Sequence, residues 1–206
     1  HFTKDSTPKY ISPFYQQIYT ASACTKQRGT LIAFHRSTPF TLSSEIKDPE
    51  GRYLILMGYI MDTAITVISY YAPNKQPTPF LSHILQVINT HKIGTVIMCG
   101  DSNQVLLPFL DKSPFTPSKI TSRLPFSQLL SKYNLVDSWR ESNPMKKKFT
   151  YFSHPHQTFT RIDHIFLTIG MIPEIIASDI IPIPWSDHNA VYTTIASAIP
   201  KAHDPT

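Results

Sequence analysis

The chain has 206 residues, 41% of them hydrophobic and 12% aromatic, which is enough for one substantial core and does not force a second domain. A formal charge of +5 favours polyanionic partners. Two cysteines, Cys24 and Cys99, exclude a disulfide framework, no Cys and His set has zinc-ligand spacing, and no apolar run reaches membrane-spanning length. With no signal-peptide pattern, the expectation is a reducing nuclear or cytoplasmic setting, one domain over residues 1–198 and a flexible tail over 199–206.

In chain order, residues 1–28 offer one short strand around Ile18 to Ala21. Gly29 to Phe34, Tyr53 to Ile60 and Ala64 to Tyr71 are rich in β-branched and aromatic residues, and the last two read as a hairpin turning at Met61, Asp62 and Thr63. Thr78 and Pro79 supply a cap and first-turn proline for a helix whose Phe80, Leu81, Ile84, Leu85 and Ile88 form one apolar face. Val96, Ile97 and Met98 have no polar alternation, so they predict a strand covered on both faces. That strand stops at Gly100 and delivers Asp101 and Asn103, which at period 2 share one side. A carboxylate and an amide at a strand end suit a metal and a phosphate oxygen, and equally an Asx turn.

Residues 105–121, with Pro108, Pro114 and Pro117, predict a surface loop. Pro125 to Tyr133 predicts a second amphipathic helix, after which Leu135 to Trp139 runs back to the core. Phe149 to Phe152 and Arg161 to Leu167 read as a hairpin with a long polar tip, Ser153 to Thr160. The tip carries His154, His156, Gln157 and Thr158, and Lys146, Lys147 and Lys148 stand at its base, where they suit a phosphate backbone as well as a solvated face. Asp163 interrupts an apolar run and so needs a partner. Asp187 and His188 follow a proline-rich turn between Ile172 to Ile183 and Val191 to Ile195; an Asp that fixes the tautomer of a His is what water activation needs, and is also a common structural pair.

Tyr-Ala-Pro-Asn at 71–74, Gly-Asp-Ser-Asn at 100–103, Arg-Ile-Asp-His at 161–164 and Ser-Asp-His at 186–188, in that order, resemble the endonuclease/exonuclease/phosphatase superfamily, which includes deoxyribonuclease I. Phe149 to Phe166 is similar to the endonuclease domain of LINE-type retrotransposon polyproteins. The resemblance runs from His1 to about Ile195 and implies a four-layer α/β sandwich, two mixed sheets flanked by helices, with the first two strands of the fold missing.

It also implies metal-dependent nicking of DNA that leaves a 3′ hydroxyl for reverse transcription. His188 would be the general base or transition-state stabiliser, Asp163 its orienting partner, and Asp101 the residue aligning the nucleophile or metal. Asn103 and Tyr71 would hold the phosphate, Asn74 would support the site, Asp187 would contribute to the metal side, and Thr150 and Ser186 would brace the site or touch DNA. Magnesium, or manganese, is the implied ion, and the implied partners are DNA, a reverse transcriptase domain and element RNA.

Two departures from the family pattern stand out. Ser102 replaces an aromatic, and the family's metal-binding Glu, in a Gln-Glu-Thr-His motif whose last His aligns with His1, falls two residues ahead of the chain. The rival expectation is therefore a non-catalytic remnant used as a binding or structural module, with a partner covering exposed sheet edges. A phosphatase of the same superfamily ranks below both, because the hairpin matches the retroelement branch.

Overall fold

The computed structural model describes residues 13–23, 28–114 and 126–196. The expected tail, Cys24, residues 1–12 and residues 115–125, which include the end of the proline-rich loop, lie outside them. The elements run β1 (Tyr15–Ser22), β2 (Gly29–His35), β3 (Phe40–Lys47), β4 (Tyr53–Ile60), β5 (Thr63–Tyr71), α1 (Pro77–His91), β6 (Thr95–Asp101), α2 (Pro108–Asp111), β7 (Lys112–Ser113), α3 (Phe126–Lys132), β8 (Leu135–Asp137), α4 (Ser138–Ser142), β9 (Tyr151–Ser153), β10 (Thr158–Thr160) and β11 (Asp163–Thr168). A 3-10 turn at Ile169–Glu174 precedes β12 (Ile175–Ile181) and β13 (Ala190–Ile195).

A six-stranded mixed sheet, in the order β3-β4-β5-β6-β11-β8, is the frame. Only β5 and β6 are parallel, joined by the α1 crossover. Period-2 alternation along β4 sends Ile55 and Met57 to the face covered by Leu81, Ile84, Leu85 and Ile88 of α1 and by Phe126 and Leu130 of α3. Leu54 and Leu56 face the other way, onto Ala21, Ile32 and Phe34 of the β1–β2 pair. β6 thus has Val96 and Met98 under the helices and Ile97 on the opposite face, which accounts for its unbroken apolar run.

The second strand layer consists of two antiparallel pairs, β1–β2 against β4 and β5, and β12–β13 against β11 and α4. Among the described residues no strand joins the two pairs. A cleft of about 500 Å³ lies between the β4–β5 turn and the end of β13, floored by Ile65 and Ile97 and walled by Ile60, Met171 and Ile195.

Four expectations need correction. β3 is an edge strand whose Thr41 to Glu45 are exposed, so it has no apolar alternation to announce it. α1 begins at Pro77 after Gln76 in a left-handed conformation, and the Thr78 hydroxyl, in place of capping, donates to Gln104 Oε1 at 2.8 Å. The proline-rich loop contains α2 and β7. The hairpin closes early: β9 pairs with β10, and β10 with β7, leaving His154 to Gln157 as the tip and freeing β11 for the central sheet. Asp163 can then lie directly opposite Asp101.

Candidate active site

Three strand ends and one loop converge at the edge of the central sheet. β5 ends at Tyr71, which is in register with Asp101 at the end of β6; Asp101 in turn is opposite Asp163 at the start of β11. The β12–β13 loop brings in His188, whose Nδ1 lies 2.8 Å from Asp163 Oδ2. Ligand atoms of Asp101, Asp163 and His188 all fall within 4.8 Å of one another, and each residue is partly buried.

This crowding sets the electrostatics. Burial, with the charge of Asp163, pushes the Asp101 carboxyl up to about 6, against the Asn103 amide and His188, which pull it down. The hydrogen bond that His188 donates to Asp163 raises the imidazole above its ordinary range; burial opposes this, while the charges of Asp163, Asp101 and Asp187 reinforce it. The exposed Asp187 therefore acts on His188 through charge, its carboxylate lying outside the 4.8 Å group. Two acidic oxygens and an imidazole this close make a donor set that a divalent cation fits, because it would neutralise the two crowded carboxylates.

Asn103 reaches the site by a turn and not by strand periodicity. Its φ is 45°, and its N–H donates to Asp101 Oδ1 at 2.7 Å, so the Asx turn and the site are one structure. The side-chain Nδ2 donates to Ala72 O at 2.8 Å and to Asn74 Oδ1 at 3.2 Å. Tyr71 Oη donates to the same Asn74 oxygen at 3.4 Å, so two donors converge on one acceptor. Ser102, where the family has an aromatic, is fully buried and polar-bonded, with Tyr70 Oη at 2.7 Å and His164 Nδ1 at 3.1 Å. Burial holds the His164 imidazole down to about 3, which keeps it neutral in the fold.

Thr150 supports the dyad from below. Its buried Oγ1 accepts from Ile162 N at 3.0 Å and Asp163 N at 3.2 Å, while its carbonyl accepts from Asn189 N at 2.7 Å. One residue thus positions Asp163 and the strand that follows His188. Ser186 Oγ accepts from His188 N at 3.0 Å, closing the loop ahead of the imidazole.

The other expected DNA contacts are less uniform. Gln157 and Thr158 donate to the His154 and His156 carbonyls, both at 2.8 Å, so these side chains hold the tip closed while the two imidazoles stay exposed. Lys148 pairs with Asp179 at 2.7 Å and Lys147 lies 4.6 Å from the Phe109 ring centroid. Lys146 is exposed.

Two site residues lie outside the four ordered motifs. Tyr151 lies against the His188 ring with centroids 4.7 Å apart, across an isolated bridge that only the tertiary fold makes. Asn189 ties its side chain to Phe149 O at 3.0 Å, and its place directly after His188 is the one local signal for it.

No family profile matches the chain. It is 31% identical over 182 residues to the transposon TX1 uncharacterized 149 kDa protein of Xenopus laevis, covering 84% of this chain and 14% of that protein. The chain thus spans about a seventh of the length of this relative. In structure it is similar to the catalytic domain of Xenopus laevis APE2, with a TM-score of 0.64 and 22% identity over 88% of this chain and 77% of that one. A 3′-5′ exonuclease of Neisseria meningitidis gives 0.59 and 18% over 87% and 80%. Among the described residues no helix is long and apolar enough to cross a membrane. The chain therefore has the deoxyribonuclease I-like mixed α/β fold that these two nucleases share, and it resembles the endonuclease domain of LINE-type retrotransposon polyproteins.

Proposed function

We propose that this chain is the endonuclease domain of a retroelement polyprotein, hydrolysing one DNA phosphodiester bond with a divalent cation, magnesium first, and leaving a 3′ hydroxyl for reverse transcription. The observation that carries the proposal is the Asp163–His188 contact at 2.8 Å, set within 4.8 Å of Asp101 at a sheet edge. With Asp163 holding the proton on Nδ1, the neutral imidazole presents Nε2 as an acceptor for a proton from water. The raised affinity of His188 for protons equally suits it to stabilise charge that develops on phosphate oxygens. Asp101, with Asp187 at the margin, would hold the cation, whose chemistry is neutralisation of phosphate charge. Tyr71 and Asn103 already aim donors at the Asn74 carbonyl oxygen, and a phosphate oxygen arriving there would take over that place as acceptor.

DNA, a reverse transcriptase domain and element RNA are the partners this reading assigns. The decisive experiment is nicking of supercoiled plasmid with and without magnesium, by the 206-residue chain and by a chain extended at its amino end with parent polyprotein sequence. A magnesium-dependent nick that disappears in His188→Ala is the expected result. Nicking that survives His188→Ala, or none from either chain, refutes the proposal.

A further inference from the structure

The two tryptophans of the chain have opposite environments. Trp139 is fully buried beneath Arg140 and Arg161, whereas Trp185 is 86% exposed, more than any other large apolar side chain among the described residues. Leaving an indole in water forgoes one of the largest burial gains available to a side chain. The loop that carries it is stiff. Pro182 and Pro184 fix the backbone on the amino side, Ser186 N donates to Ile183 O at 3.3 Å, and His188 N donates to Ser186 Oγ at 3.0 Å on the other. The indole is thereby presented three residues from the imidazole that meets Asp163, and Tyr151 lies against that same imidazole.

We infer that Trp185 is a specificity-determining contact that stacks on a base unstacked from the duplex beside the bond to be cut. The inference rests on the DNA-hydrolase function proposed above and adds to it how the cut position is chosen. A π-face accepts any base, so the selection is energetic: steps or lesions that unstack cheaply seat the indole, and stiff steps resist it. A base is favoured over an apolar protein partner by the surroundings: the cluster of Asp101, Asp163 and His188, which handles phosphate in the function proposed above, has its His188 three residues along the chain from this exposed indole.

The test uses fluorescein-labelled duplexes in EDTA, one fully paired and one with a single mismatch, with binding followed by anisotropy and tryptophan emission recorded in the same titration. The expected results are quenching of emission on binding, a preference for the mismatched duplex, and loss of both in Trp185→Ala. Its remaining Trp139 should not respond, and its affinity for the mismatched duplex should fall by about 5- to 160-fold, the range for one base stacked on an aromatic side chain. Because Trp185 is 86% exposed, its truncation leaves the fold intact. DNA binding that saturates without quenching, or a Trp185→Ala chain that keeps its affinity and mismatch preference, overturns this inference and leaves the hydrolase function standing. A chain that binds no DNA overturns both.

Discussion

Arg161→Met should be among the most damaging single substitutions in the chain. Arg161 is fully buried and its guanidinium serves two carboxylates: Nε and Nη2 meet Asp111 at 2.8 and 3.0 Å, and Nη1 meets Asp137 at 2.6 Å. Trp139 lies under it, 5.0 Å from the guanidinium carbon to the ring centroid. Methionine keeps the aliphatic stem and removes the charge, leaving Asp111 with Arg140 alone and Asp137 without this partner. Removing one member of a buried ion pair costs about 3–5 kcal/mol, and one carboxylate left unpaired beside another left half-paired places this case at the upper end. For a domain of this size that corresponds to a fall in melting temperature of roughly 8–20 °C. Arg161→Lys should recover only part, because an ammonium cannot reproduce the two-pronged contact. Urea unfolding followed by circular dichroism measures the loss. Pairing Arg161→Met with Asp137→Asn removes the charge left without an ion-pair partner while keeping an Oδ1 to cap α4, so the double variant should be more stable than the sum of the single losses implies. A loss under about 1 kcal/mol for Arg161→Met, or strict additivity in the double variant, would refute the reasoning.

Thr150→Val leaves the Ile162 and Asp163 amides without their acceptor and should cost about 2–4 kcal/mol by urea unfolding, at about 1–3 per orphaned buried donor. Asp101→Asn should raise the urea midpoint at pH 7.5 but not at pH 4: the folded carboxyl titrates near 6, above its unfolded value, so the native state binds the extra proton and wild-type stability falls as pH rises between about 4 and 6. Adding magnesium or manganese at about ten times its Kd should stabilise the wild-type chain by about 1.4 kcal/mol and leave Asp101→Asn unmoved in a thermal melt. Neutralising Lys146 or Lys147 should lower the salt dependence of DNA binding, by a slope of up to about 0.9 for each phosphate left without its cation, while Lys148→Gln has a smaller effect because Lys148 already serves Asp179.

The covered β6 strand, the amphipathic α1 and the β4–β5 hairpin are legible in the sequence because each is fixed by local periodicity and by a turn. The ordered motifs locate Tyr71, Asp101, Asn103, Asp163 and His188, since a carboxylate in an apolar run or at a strand end is conspicuous wherever the chain folds. Periodicity and spacing do not show which residues meet, although the family resemblance pairs Asp163 with His188. The contact of His188 with Asp163 spans 25 positions and depends on β11 leaving the hairpin for the central sheet, a choice made by pairing with β6 and not by any local propensity. β3 is invisible in the sequence because an exposed edge strand needs no apolar face, and Tyr151 because its contact with His188 exists only where β9 meets the β12–β13 loop. The role of Ser102 likewise belongs to the tertiary structure. In sequence it is a missing aromatic; in the fold it is a buried hydroxyl between Tyr70 and His164, because a small polar residue can hydrogen-bond where a ring would have filled the space.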